Sequence, residues 1–384
     1  MRLLVSLGVG LGLAVGARAQ TPPAPAPDAA QNTAQDQSGI STIRARTSLV
    51  LVPALVTTKD GKPVFTLTPD DFVLTDDGIP QTTRIEEDAD QQPLAVVVLV
   101  ESGGDGIAHI GDYAGLDTMI DSVIGGVEHT VAVVDFDSQP ELTEPFTDDM
   151  GKIGHALRHL DGGDDGAVLL DGLKFAIDVL AKQPPRYRRA ILMFTETHDR
   201  GSQTTIEEAV RAVSDNNIAI YSFAFSSTRA EARRGGAALP PGLGGSDDPN
   251  PAGGCFSRAA DSEGNKPKKN VASQDYDCVA QLLPPLALAR MAFAAAVGAM
   301  RRNVPETVAK LTGGEYYSFK DEKGLDKAVH TLSNHVPNRY MLSFTPTAPH
   351  TGLHALSLTL KDRPGLKVDA RTSYWAEGDA APAK

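Results

Sequence analysis

Three carboxylates stand where an apolar run gives way to polar residues. Residues 94–106 read LAVVVLVESGGDG, which places Glu101 and Asp105 just beyond an unbroken apolar stretch. Residues 189–196 read RAILMFTE, which places Glu196 after a second stretch of the same kind. Carboxylate oxygens are hard donors, suited to Mg²⁺ or Ca²⁺. Ser102 adds a hydroxyl, and His198 with Asp199 adds a base beside an acid. A serine hydrolase centred on Ser102 is therefore one reading. It lacks the glycine-flanked nucleophile elbow, because Val100 and Gly104 stand on either side of Ser102. Catalysis also needs a base oriented by a third group, and His198 next to Asp199 reads more simply as a solvated loop pair.

Two other ligand chemistries fail on spacing. A dinucleotide fingerprint needs a third glycine where His109 stands, and Asp105 would repel the pyrophosphate. A calcium loop opening at Asp135-Phe136-Asp137 would need its bidentate glutamate where Phe146 stands. No organic cofactor is expected. Cys255 and Cys278 lie in one irregular region without a second ligand pair nearby, so they read as a disulfide.

The elements that must hold these side chains follow from the apolar pattern. MRLLVSLGVGLGLAVGARAQ reads as a signal peptide (residues 1–19) cut before Gln20. Its apolar core is shorter than the roughly 18 residues a membrane span requires, and no transmembrane segment is expected after its removal. The protein is therefore expected outside the cytoplasm, periplasmic or extracellular, where a disulfide persists. Residues 20–42 are a Pro/Ala-rich linker with too little apolar surface to fold, and the tail 377–384 looks the same. The chain has 36 basic and 49 acidic side chains, a formal net charge of -13, which excludes nucleic acid as a natural partner. A protein partner is expected instead.

Between the ends, residues 43–92 read as short strands joined by Lys59-Asp60-Gly61 and Asp77-Gly78 turns. From residue 93 to 336, Val/Ile/Leu runs of strand length alternate with helical segments. Strands without polar alternation are buried on both faces, so this is an α/β unit with a doubly wound, mostly parallel sheet. LAVVVLV should be central in it and ELTEPF its antiparallel edge. Residues 226–285 form an irregular insertion rich in Gly, Pro and Ser. LALARMAFAAAVGAMRR reads as an apolar core helix. Residues 337–376 return to alternating strands, and the two flanks should pair as one small β-sandwich.

The order of elements resembles the von Willebrand factor type A domain. The flanks VPALVTTKDGKPVFTLTPDDFVLTDDGIPQ and RYMLSFTPTAPHTGLHALSLTLKDRPGLKVDARTSYW resemble the exported form of that family described from acidobacteria. The resemblance implies a Rossmann-like sheet and a metal-ion-dependent adhesion site, with the pattern Asp-x-Ser-x-Ser, a Thr and a further Asp around one Mg²⁺. This chain departs at each position. Glu101 stands for the first Asp, Gly103 and Asp105 for the serines, Ala167 for the Thr and Glu196 for the last Asp. The hydroxyls are gone and both remaining acids are one methylene longer, which octahedral Mg²⁺ at about 2.1 Å tolerates badly.

The reading is an exported, non-enzymatic protein-binding or scaffold protein with a degenerate metal site. Its rival is a metal-dependent adhesin in which Glu101, Asp105 and Glu196 hold Mg²⁺ or the more permissive Ca²⁺ and present it to an acidic partner residue.

Overall fold

The structure, a computed structural model, describes residues 49–86, 92–113, 115–225, 285–347 and 350–376. The signal peptide, the linker and the Cys255–Cys278 pair lie outside these residues. The N-terminal flank forms β1 (Val50–Thr58), β2 (Phe72–Asp76), β3 (Ile79–Gln81) and β4 (Arg84–Ile85). Asp77 (φ 48°) and Gly78 (φ 80°) turn β2 into β3, the left-handed pair that a two-residue hairpin requires.

The α/β unit begins with β5 (Leu94–Glu101), in which every residue is buried. It continues through α1 (Leu116–Ile124), β6 (His129–Phe136), β7 (Pro140–Thr147), α2 (Met150–Arg158), α3 (Leu169–Ala181), β8 (Arg188–Thr195), α4 (Ile206–Asp215) and β9 (Ile218–Phe225). Beyond the undescribed segment come α5 (Pro285–Met300), α6 (Val304–Thr312), β10 (Tyr316–Phe319) and α7 (Glu322–His335). The sheet order is β10-β9-β8-β5-β6-β7. All neighbours are parallel except β7, which closes the edge antiparallel to β6. LAVVVLV is therefore central and ELTEPF is the antiparallel edge.

Alternate residues of β5 feed two different cores. Ala95, Val97 and Leu99 pack with α3, α4 and α6, whereas Val96, Val98 and Val100 pack with α1, α2 and α7. Helices on both faces leave no position for a polar residue, which is why the strand reads as one apolar run. Local signals place the helix ends. Thr205 and Glu208 form a reciprocal capping box on α4, and Gly313 (φ 75°) ends α6 in the left-handed conformation. One side of α5 joins the core through Ala296, Val297 and Met300.

The C-terminal flank supplies β11 (Tyr340–Phe344), β12 (Gly352–Leu360), β13 (Leu366–Ala370) and β14 (Ser373–Ala376). These interleave with the first flank as β13-β1-β11-β4 and β14-β12-β2-β3. Val52, Val56, Leu74, Leu342, Phe344 and Leu356 fill the space between the two sheets. The flanks thus make one antiparallel sandwich, with each sheet drawing strands from both ends of the chain.

Candidate functional site

Strand β5 lies between β6 and β8, so the connections leave it in opposite directions and open a crevice at its carboxyl end. Three segments wall that crest. After Glu101 the chain turns at once, with Ser102 and Gly103 both donating their backbone N–H to Phe136 O. The acidic loop 161–166 reaches in from the side, where Gly104 N donates to Asp164 O and Gly163 N to Ser102 O. The third wall is the loop after β8, tied by Arg200 N to Ala167 O at 2.9 Å.

Glu101 is fully buried. Its Oε2 accepts from Thr195 Oγ1 at 2.7 Å and from Glu196 N at 2.8 Å. Burial is the main force on its carboxyl and lifts the pKa to about 7, aided by the nearby Glu196 charge. The cation that answers both carboxylates belongs to the chain itself. Arg200 Nε lies 2.5 Å from Glu196 Oε1, and Arg200 Nη2 lies 3.6 Å from Glu101 Oε1. The guanidinium is only 15% exposed. Gly104 (φ 53°) makes room for it, since a Cβ there would stand 2.3 Å from Arg200 Nη2. Asp105 is half-buried, and its Oδ2 has no hydrogen-bond partner.

These residues do not suit a divalent ion as they stand. Glu101, Asp105 and Glu196 do not bring their oxygens to within 4.8 Å of one another. A guanidinium already lies against two of the three. Ala167 offers no hydroxyl, only a backbone bridge to Arg200. Gly103 cannot become a serine ligand by simple substitution, because its Cβ would stand 2.2 Å from Gly166 O and 2.7 Å from Asp137 Cα. Loss of the hydroxyl at position 103 is thus built into the backbone packing, beyond the side chain alone.

The hydrolase constellation does not assemble either. Ser102 Oγ donates to Asp135 Oδ2 at 2.8 Å, and Asp135 also takes the hydroxyl of Thr143. Asp199 is a helix cap rather than a solvated partner of His198. It accepts from Leu170 N at 3.0 Å and from Ser202, while Asp171 accepts from Gln203 N and Thr204 N in return. This exchange fastens the loop after β8 to the start of α3. His198 Nδ1 meets Thr197 Oγ1 at 2.7 Å. The one sequence clue to Arg200 is a base four residues beyond a glutamate.

A second polar cluster lies in the sandwich, where Asp77, His350 and His354 bring potential ligand atoms within 4.8 Å, the one such group among the described residues. His354 Nδ1 lies 2.9 Å from both Asp76 Oδ1 and Asp77 Oδ2, and its Nε2 lies 2.9 Å from His350 O. Both ring nitrogens therefore face acceptors, as in an imidazolium. Burial opposes that charge, but the Asp76 and Asp77 carboxylates outweigh it and hold the pKa at about 10. The rings of His350 and His354 stack at 3.8 Å with 13° between planes. Nearly parallel rings cannot both aim an in-plane lone pair at one ion, so a metal here would require the rings to turn. No sequence spacing joins Asp77 to His354, and this cluster too was invisible before folding.

The central unit is similar to the von Willebrand factor type A domain. Residues 114–199 match the model of that domain. Among solved structures, an aerotolerance-related membrane protein from Bacteroides fragilis NCTC 9343 is 16% identical, over 63% of this chain and 98% of that one, with a TM-score of 0.34. The SpRpn10 von Willebrand factor A domain is 20% identical over 38% of this chain and 83% of its own, at 0.29. Proximal thread matrix protein 1 from mussel byssus, solved with zinc in its metal-ion-dependent adhesion motif, is 13% identical at 0.31. That match spans 38% of each chain. No curated protein sequence matches this one.

Proposed function

We propose that the protein is an exported, non-enzymatic binding or scaffold protein whose crest works with a built-in cation in place of a metal ion. The observation that carries this reading is the Arg200 guanidinium set against Glu101 and Glu196. A metal site grips its partner because the ion keeps a coordination position for the partner's carboxylate. A guanidinium that already faces two carboxylates has little charge to offer. Around it the rim is acidic, with Asp161, Asp164 and Asp165 exposed. Such a surface repels an acidic partner and attracts a basic one. The protein partner is accordingly one that presents lysine or arginine at the point of contact. The degenerate adhesion site and the resemblance of the flanks to exported acidobacterial proteins both fit this role. No helix among the described residues is long and apolar enough to cross a membrane.

The rival reading, a metal-dependent adhesin, draws on Asp105 Oδ2, a buried carboxylate oxygen at the crest without a hydrogen-bond partner. Thermal unfolding of the purified protein in EDTA, Mg²⁺ and Ca²⁺ separates the two. A site half-saturated at 1 mM ion would add about 0.4 kcal/mol, and the internal-cation reading expects no shift. A Mg²⁺-dependent rise that Glu196→Ala abolishes would establish the adhesin. Export carries its own check: Cys255 and Cys278 should be bonded in the mature protein, and thiol labelling of the native protein should find neither.

A further inference from the structure

The opposite end of the sheet holds a cavity of about 330 Å³, bounded by the amino ends of β5, β8 and β9, by the last turn of α1 and by the sandwich strands β1 and β11. That volume lies within the range of small-molecule sites. Its wall is apolar along Leu94, Val96, Val123 and Leu192, with Tyr221 beside them. The charged side chains lining it are Arg188, Arg189, Arg339 and Arg371, and no carboxylate lines it among the described residues. In a chain with 49 acids and 36 bases, that segregation is against the grain.

Two of these arginines, Arg189 and Arg371, form no ion pair among the described residues. Arg371 is 4% exposed, yet its guanidinium meets only neutral acceptors: Ser373 O, Asn217 Oδ1 and Ser214 O at 2.6–2.9 Å. Burial pulls its pKa down to about 10. Arg189 reaches the carbonyl of Gln183 and makes no ion pair among the described residues. Arg339 does pair with Glu315 at 2.7 Å, but its Nε is buried without a hydrogen-bond partner although the side chain is only 6% exposed. A buried positive charge without a counter-ion is costly, and planar guanidinium groups suit carboxylate, sulfonate or phosphate oxygens.

We infer that this cavity is a binding site for a small amphipathic organic anion, its apolar body against the β5 and β8 side chains and its anionic head among Arg189, Arg339 and Arg371. The site lies at the far end of the sheet from the crest and does not depend on the reading of the crest. Calorimetric titration of the full chain with naphthalene-2-sulfonate tests it, with naphthalene-2-sulfonamide as the neutral counterpart. The sulfonate should bind at least tenfold more tightly than the sulfonamide. Arg189→Gln, which loses only a backbone contact, should weaken the sulfonate at least tenfold with the melting temperature unchanged. Met341→Trp, which fills the cavity from the sandwich side, should block it. Equal binding of the two probes, no binding at millimolar sulfonate, or binding that Arg189→Gln leaves intact would overturn the inference.

Discussion

Replacing Arg200 with methionine keeps most of the side chain's volume and removes its charge, leaving Glu101 and Glu196 buried without the cation they share. The magnitude follows from Glu101. Its pKa stands at about 7 in the folded protein against a normal value of 4.5. At about 1.4 kcal/mol per unit, keeping it ionised costs roughly 3 kcal/mol at pH 8 even with Arg200 present. Between pH 4.5 and 7 the native state holds a proton that the unfolded state lacks. Stability of the natural protein should therefore fall as pH rises through that window, with the full cost present above 7. Without Arg200 the folded pKa rises further, and the variant should lose about 3–5 kcal/mol at pH 8, the usual cost of orphaning a buried charge. At pH 5 Glu101 is protonated in either protein and the loss should shrink by at least about 2 kcal/mol. Urea unfolding of both proteins at pH 5, 6, 7 and 8 measures this directly. The vacated charge should also make the variant respond to millimolar Ca²⁺, a response the internal-cation reading does not expect of the natural protein. A loss below about 1 kcal/mol at pH 8, or a larger one that is flat with pH, would show that Arg200 is not the crest's counter-ion.

Gly103→Ser should destabilise the protein by about 1–3 kcal/mol through overpacking against Gly166 O, without creating Mg²⁺ binding; a chemical-denaturation midpoint and a metal titration report both. His354 has a raised pKa, so its contribution is whole below pH 6.5 and should drain away as pH climbs through about 10. In His354→Gln that alkaline loss should be absent, and a melting profile between pH 6 and 10.5 that matches the natural one would count against the buried imidazolium. A chain beginning at Pro93 lacks β1 and β2, which uncovers Leu342, Phe344 and Leu356; light scattering should show it aggregating, and a soluble product with unchanged melting would mean that the sandwich does not need its N-terminal half.

The parts legible in advance were those written in local pattern. Seven apolar residues in β5 announced burial on both faces, Thr205 with Glu208 announced the start of α4, and Gly313 announced the end of α6. The alternation returning after residue 337 was enough to pair the two flanks. What stayed hidden depends on distance in the chain or on closeness in space. Glu101 could be placed at the crest, but the guanidinium beside it comes from a loop whose own residues look merely polar. Asp199 reads as a loop acid until the start of α3 is seen to lack a cap of its own. Gly103 looks like a lost serine, and only the 2.2 Å at which a Cβ would meet Gly166 O makes it a requirement.

The sandwich imposes an order on how the chain can fold. Ala54 of β1 pairs with Tyr340 on one side and with Ala370 on the other. A ribosome releases β1 long before either neighbour exists, and closing so long a loop early carries a large entropic cost. In the α/β unit β5 meets β6 across α1, β7 follows β6 directly and β8 meets β9 across α4, so much of its sheet has no such wait. In refolding, its sheet should form in an early kinetic phase and the sandwich in a later one, with β1 held as an unpaired apolar strand in between. That interval is where a folding helper would bind and where self-association would compete. A peptide copying residues 49–58 should compete for the open slot between β11 and β13 if added before the late phase, and should have no effect after it.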